Sequence, residues 1–151
     1  MRAGELCVRD VVTATADESV VEAARRMAML DVGDLVVVTE RTDALPVPVG
    51  IITDRDLMIE VLARPERVPA LTTVADVMHR PLITATEDED IETIVEKMRA
   101  NGVRRIPIVD DDGGLQGLLS IDDVIGWIRE EIQAATRLLE HQGRGPGLGA
   151  I

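Results

Sequence analysis

The stretch Gly102–Asp123, GVRRIPIVDDDGGLQGLLSIDD, decides how the rest of the chain is read. Its 22 residues hold an apolar strand (Ile106, Ile108, Val109), a turn signal at Asp112-Gly113 and a second apolar strand (Leu115, Leu118, Leu119). Glycine takes φ > 0 without steric cost, so Asp-Gly between two apolar runs marks a hairpin. Ser120, with Asp123 three residues later, opens a helix.

Working outward, the stretch has a counterpart. Residues 3–38 slide onto 74–109 at a constant offset of 71. Arg9 falls on Arg80, Thr13-Ala14-Thr15 on Thr84-Ala85-Thr86, Asp17-Glu18 on Asp88-Glu89, Met27 on Met98, Val32 on Val103 and Val38 on Val109. The first copy then carries a loop four residues longer, RTDALPVPV, after which Gly50-Ile51-Ile52-Thr53 matches Gly117-Leu118-Leu119-Ser120 and Asp56 matches Asp123. Such self-similarity means that one supersecondary unit occurs twice.

Each copy reads as β-α-β-β-α after a short helical turn (Gly4–Val8; Val74–His79). A short strand comes first, Val11–Thr13 or Leu82–Thr84. An amphipathic helix follows, with Val20, Ala23, Ala24, Met27 and Leu30 at helical spacing in copy one and Ile91, Ile94, Val95 and Met98 in copy two. Ser19 and Glu22 have capping-box form. Two strands follow, Leu35–Thr39 with Val49–Thr53 and Ile106–Asp110 with Leu115–Ser120, and a second helix closes each copy. The expected organisation is repeat one at 3–64, a linker at 65–73 broken by Pro65 and Pro69, repeat two at 74–141, and a disordered Gly/Pro-rich tail at 142–151. The fold class is α/β (α+β). One unit alone buries too little apolar surface. Two units packed sheet to sheet give a single pseudo-twofold module. The last helix, Ile121 to about His141, keeps apolar spacing past the end of the repeat, which points to a partner chain.

Composition narrows the function. Apolar residues make up 46% of 151, yet there is no Phe or Tyr and one Trp, so the core is aliphatic. A stacking platform for single-stranded nucleic acid needs aromatics that are missing. A net charge of −12 repels a phosphate backbone, so no nucleic-acid partner is expected, although a local basic pocket could hold a small anion. No apolar run approaches the ~20 residues of a membrane span. The N-terminus lacks a signal-peptide core, and Cys7 alone forms no internal disulfide, so a cytoplasmic protein is expected. Of 16 basic residues 15 are Arg, a skew that fits a GC-rich bacterial genome. His79 and His141 lack suitably spaced co-ligands, and no metal site is read. No nucleophile–base pair or catalytic motif stands out, so no enzymatic activity is expected.

These two ordered copies resemble the tandem cystathionine-β-synthase (CBS) domain pair. The resemblance rests on DVMHRPLITATEDED and NGVRRIPIVDDDGGLQGLLSIDDV in copy two and on VGDLVVV and GIITDRDL in copy one, and covers roughly residues 3–135. It implies a regulatory or energy-sensing module without catalysis and without a required cofactor. Its cleft would take an adenosyl ligand: AMP, ADP, ATP or S-adenosylmethionine. It also implies a homodimer, and free-standing bacterial proteins of about this length occur in the family. A downstream protein target is a further implied partner.

The family's Gly-x-x-x-x-Pro strand start and [Ser/Thr]-x-x-Asp match Gly102–Pro107 and Ser120–Asp123 in copy two. Copy one matches at Thr53–Asp56 but has Asp31 and Val36 where Gly102 and Pro107 stand. The resemblance implies that Asp123 accepts from ribose hydroxyls, that Ser120 lies near phosphate, and that backbone near Ile83-Thr84 meets the base. Val12 and Thr13 are the copy-one equivalents. Arg104, Arg105 and, in copy one, Arg55 could supply charge to phosphate oxygens. Asp34 stands where Arg105 does, and Asp122 where Arg55 does, so neither copy has a full basic set. Both [Ser/Thr]-x-x-Asp ends are also plain helix caps, and the two roles are compatible. The alternative is a ligand-free dimeric scaffold with degenerate pockets. Ser120, Asp123, Arg104 and Arg105 are expected to form the stronger site, and Thr53, Arg55 and Asp56 the weaker one.

Overall fold

A computed structural model describes residues 1–79 and 82–142. The elements run α1 (Ala3–Leu6), β1 (Thr13–Thr15), α2 (Val20–Leu30), β2 (Asp34–Arg41), β3 (Ala44–Thr53) and α3 (Asp54–Leu57), which continues as a π-turn through Leu62. The second copy runs α4 (Val74–Val77), β4 (Ala85–Thr86), α5 (Ile91–Asn101), β5 (Arg105–Val109), β6 (Leu115–Ser120) and α6 (Ile121–Gln142). The mixed α+β fold has two three-stranded sheets, ordered β1-β2-β3 and β4-β5-β6. In each, the first pair is parallel and the second antiparallel.

The elements form where their chemistry directs. The Ser19 hydroxyl accepts the Glu22 amide at 3.2 Å and starts α2. Gly102 at φ 62 ends α5 in the left-handed region, and Asp31 at φ 53 does the same for α2. In the β5–β6 turn, Gly113 has φ 80, and the Asp110 carboxylate accepts the amides of Asp112 (3.0 Å) and Gly114 (2.7 Å). The Gly114 bond, foremost among these contacts, holds the Asp110 carboxyl below its usual range.

The two copies exchange their first helices. Ala3, Leu6 and Cys7 pack into the aliphatic cluster of copy two, around Ile94, Ile106, Ile108 and Leu119. Val74, Val77 and Met78 pack into that of copy one, around Met27, Leu35, Val37 and Ile52. Fully burying a side chain such as Val74 contributes about 1.5–3 kcal/mol. The exchange repeats bond for bond: the Ala3 amide donates to Glu89 O (3.0 Å) as the Val74 amide donates to Glu18 O (2.9 Å). Gly4 and Ala75 likewise donate to Glu87 O and Ala16 O, each at 2.9 Å. Past each first helix the chain bridges the other copy's third strand, Val8 against Leu118 and His79 against Ile51. Covering these edges leaves fewer backbone groups open to pairing with other chains.

Two expectations need correction, and the helix expected at the end of copy one is present in a short form. The first strands lie two to three residues later than Val11–Thr13 and Leu82–Thr84, because those earlier residues run along the clefts described below. The insertion RTDALPVPV is not a loop: it lengthens the β2–β3 hairpin, which turns at Asp43 (φ 58). Pro46 and Pro48 sit on β3, an edge strand, where a missing N–H is tolerated. The helix closing copy one is a single α-turn followed by a π-turn. The expected tail at 142–151 lies outside the described residues except for Gln142, which is helical. Among the described residues no helix is long and apolar enough to cross a membrane.

Candidate functional site

Exchange of the first helices sets the two sheets side by side, and two clefts open between the copies. Cleft one, of about 430 Å³, is lined by Ile51, Thr53, Arg55, Asp56, Ile59, Glu60, His79, Leu82, Ile83, Gly102, Val103, Arg104 and Arg105. Cleft two, of about 240 Å³, is lined by Val8, Asp10, Val11, Val12, Val32, Asp34, Arg105, Leu118, Ser120 and Asp123. Each cleft takes its [Ser/Thr]-x-x-Asp end from one copy and its first-strand approach from the other.

This geometry regroups the residues singled out in the sequence. Ile83 and Arg104 join Thr53, Arg55 and Asp56, not Ser120 and Asp123, while Arg105 lines both clefts. Ser120 and Asp123 join Val12 instead. The expected copy-two site is therefore split, because Ile83 and Arg104 face the helix start of copy one and only Arg105 reaches Ser120 and Asp123. Thr13 and Thr84 line neither cleft. Their carbonyls accept from Arg26 (2.9 Å) and Lys97 (3.4 Å) on the helices behind.

Pro107 is also not a lining residue; it is fully buried in the middle strand of its sheet. Its effect is indirect. In copy one the Val36 amide donates to the Val12 carbonyl at 3.1 Å, and β1 begins at Thr13 paired with Val36. Pro107 stands at the equivalent position and has no N–H. The equivalent bond to the Ile83 carbonyl cannot form, and β4 starts one pair later, at Ala85 with Ile108. Among the described residues no backbone N–H donates to the Ile83 carbonyl, and Ile83 lines cleft one.

In cleft one, Asp56 is buried (7% exposed) and closes a capping box on α3. Its Oδ2 accepts the Thr53 amide at 2.8 Å, and the Thr53 hydroxyl accepts the Asp56 amide at 3.1 Å. Oδ1 meets His79 Nε2 at 2.5 Å. Sequence reading considered His79 as a metal ligand and found no co-ligands; the bridge from Ile51 to His79 is what brings its ring to Asp56. Arg55 and Arg104 are exposed, Arg104 lying a loose 3.7 Å from Asp122.

In cleft two, Asp123 Oδ2 accepts both the Ser120 amide (2.9 Å) and its hydroxyl (2.6 Å), and Oδ1 takes no bond from the described residues. Asp34 and Arg105, equivalent positions of the two copies, form an ion pair across the pseudo-twofold axis. Burial pushes the Asp34 carboxyl up; Arg105 opposes this, while Asp54 and Asp123 add to it. Burial likewise raises the Cys7 thiol, which lies half-buried against Gly117.

A paired cleft between exchanged β-α-β-β-α repeats defines the CBS pair, and comparison with known proteins agrees. The CBS domain model matches residues 3–63 and 74–130, and the chain belongs to the CBS domain family. It is 38% identical over 122 residues to the uncharacterized protein MK0525 of Methanopyrus kandleri, covering 81% of this chain and 60% of that one. It is 37% identical over 124 residues to an inosine-5′-monophosphate dehydrogenase of Methanocaldococcus jannaschii, covering 82% of this chain but 23% of that enzyme. The chain thus spans less than two thirds of the length of either relative. Among solved structures, the CBS domain pair of protein MJ0100 in complex with 5′-methylthioadenosine and S-adenosyl-L-methionine aligns with TM-score 0.74 at 26% identity. That alignment covers 87% of this chain and 98% of the other. CBS pairs are regulatory modules.

Proposed function

We propose that the chain is a non-catalytic regulatory module that binds an adenosyl ligand between its repeats, with a phosphate-bearing form in cleft one. The observation carrying this reading is the meeting of Arg55, Arg104 and Arg105 with the Asp56 carboxylate and the Ile83 carbonyl in one cavity of about 430 Å³. Each part suits one part of a nucleotide. A carboxylate accepts from both ribose hydroxyls, guanidiniums bind phosphate oxygens, and a backbone carbonyl accepts from an exocyclic amine. Ile51, Leu82, Ile83 and Val103 supply apolar walls for a base. The solved MJ0100 pair, with its two adenosyl ligands, supports the ligand class. Calorimetry of the chain against AMP, ADP, ATP, S-adenosylmethionine and 5′-methylthioadenosine is expected to show saturable binding of at least one. No heat from any of them at millimolar concentration sinks the reading and favours a ligand-free scaffold.

The reading extends to a second copy of the chain. Ile121, Ile125, Ile128, Ile132, Ala135 and Leu139 alternate spacings of four and three along α6, the heptad pattern of a two-helix seam. From Ile125 on, every seam residue is exposed, Leu139 at 70%. A repeated apolar stripe on one helix matches the same stripe on its copy. Sedimentation velocity is expected to give a dimer, and Ile128→Glu with Ile132→Glu a monomer. A chain that sediments as monomer without substitution refutes the seam.

A further inference from the structure

We infer that the two clefts share one guanidinium, so that a phosphate-bearing ligand occupies a single cleft per chain while an uncharged nucleoside fills both. The inference rests on the adenosyl reading above and deepens it. Arg105 lines both cavities, and its guanidinium is paired with Asp34 between them. Among the described residues, cleft one sets Arg55, Arg104 and Arg105 against Asp56 and Glu60. Cleft two sets Arg105 alone against Asp10, Asp34 and Asp123. The first is a place for an anion with Arg105 counted, and the second is acidic even then.

Two consequences follow from charge. Phosphate in cleft one draws Arg105 toward its oxygens, a charge-assisted contact that competes with Asp34. Asp34 is then left half-buried in the same cleft as Asp123 without its cation, and a second phosphate entering cleft two meets Asp10, Asp34 and Asp123 with no guanidinium among the described residues to offset them. Burial makes that repulsion stronger than it would be in water. An uncharged nucleoside brings nothing to repel. Its diol finds an open acceptor in Asp123 Oδ1, beside the Ser120 hydroxyl. Loss of Arg105 from cleft two costs it little.

The test is calorimetry on the full chain with AMP and with adenosine. The expected stoichiometry is one AMP and two adenosines per chain, and adenosine titrated into AMP-saturated protein fills one remaining site. Asp34→Asn removes the competing carboxylate at nearly unchanged size and is expected to admit a second AMP; Trp127 fluorescence on unfolding checks that the variant is folded. Two AMP per natural chain overturns the inference and leaves the adenosyl reading standing. One adenosine per chain, or no free adenosine site beside bound AMP, overturns it likewise. A folded Asp34→Asn chain that still takes one AMP shows that Arg105 and Asp34 are not what limits occupancy. No binding of either ligand, nor of the other adenosyl compounds, removes both.

Discussion

Gly117→Val is expected to destabilise the chain by about 1–3 kcal/mol, the usual cost of overpacking a filled core. A Cβ at 117 would stand 2.7 Å from Cys7 Sγ and 2.9 Å from the Val8 carbonyl oxygen. Backbone cannot swing aside as a side chain can. The Val8 carbonyl accepts the Leu118 amide at 2.9 Å, and the Val8 amide donates to the Leu118 carbonyl at 2.9 Å. Retreat of this segment therefore breaks the bridge that holds copy one's first helix on copy two's sheet. Gly50 is the equivalent position, but its Cβ would meet Met78 Sδ at 2.8 Å, the movable end of a flexible side chain. Gly50→Val should cost less. Urea unfolding followed by Trp127, the only Trp in a chain without Tyr, compares the two. A Gly117→Val midpoint equal to that of the unsubstituted chain would mean that the first helices do not dock as described.

That exchange marks the limit of what the sequence makes legible. The offset of 71 shows that Ala3 and Val74 are equivalent, and their bonds to Glu89 and Glu18 bear this out. Equivalence holds whether each helix packs on its own copy or on the other, so no periodicity distinguishes the two. The regrouping of the clefts has the same cause. Thr53 and Asp56 sit opposite Ile83, Arg104 and Arg105 because α4 docks on copy one and carries the start of copy two past that sheet. The hairpin extension was hidden by Pro46 and Pro48, which read as loop residues unless the strand is known to be an edge. Pro107, by contrast, could be singled out from sequence; only its role changed, from a wall of the site to the cause of an open carbonyl at Ile83. The fold class and the twofold repeat followed from apolar spacing, which local chemistry fixes. Which residues face one another followed from a long-range choice that local chemistry leaves open.

Asp56→Ala is expected to weaken AMP binding by about 1–3 kcal/mol, the cost of leaving buried partners unsatisfied. That is roughly 5- to 150-fold in affinity. Asp56 is the buried acceptor of cleft one, and the substitution withdraws it from the ribose, from His79 and from the Thr53 amide together. Part of the effect would reach stability, since the capping box at the start of α3 loses one of its two bonds. His79→Ala separates the contributions. It keeps the capping box and frees Asp56 Oδ1, so AMP should bind at least as tightly as to the unsubstituted chain. Asp123→Ala acts in the other cleft, where its expected effect is loss of the second adenosine. Calorimetry on the three variants distinguishes the arrangements. If Asp123→Ala abolishes AMP binding while Asp56→Ala spares it, the nucleotide lies in cleft two and the electrostatic assignment is reversed. If His79→Ala weakens AMP as much as Asp56→Ala, the imidazole is itself a ligand contact rather than a competitor for the carboxylate.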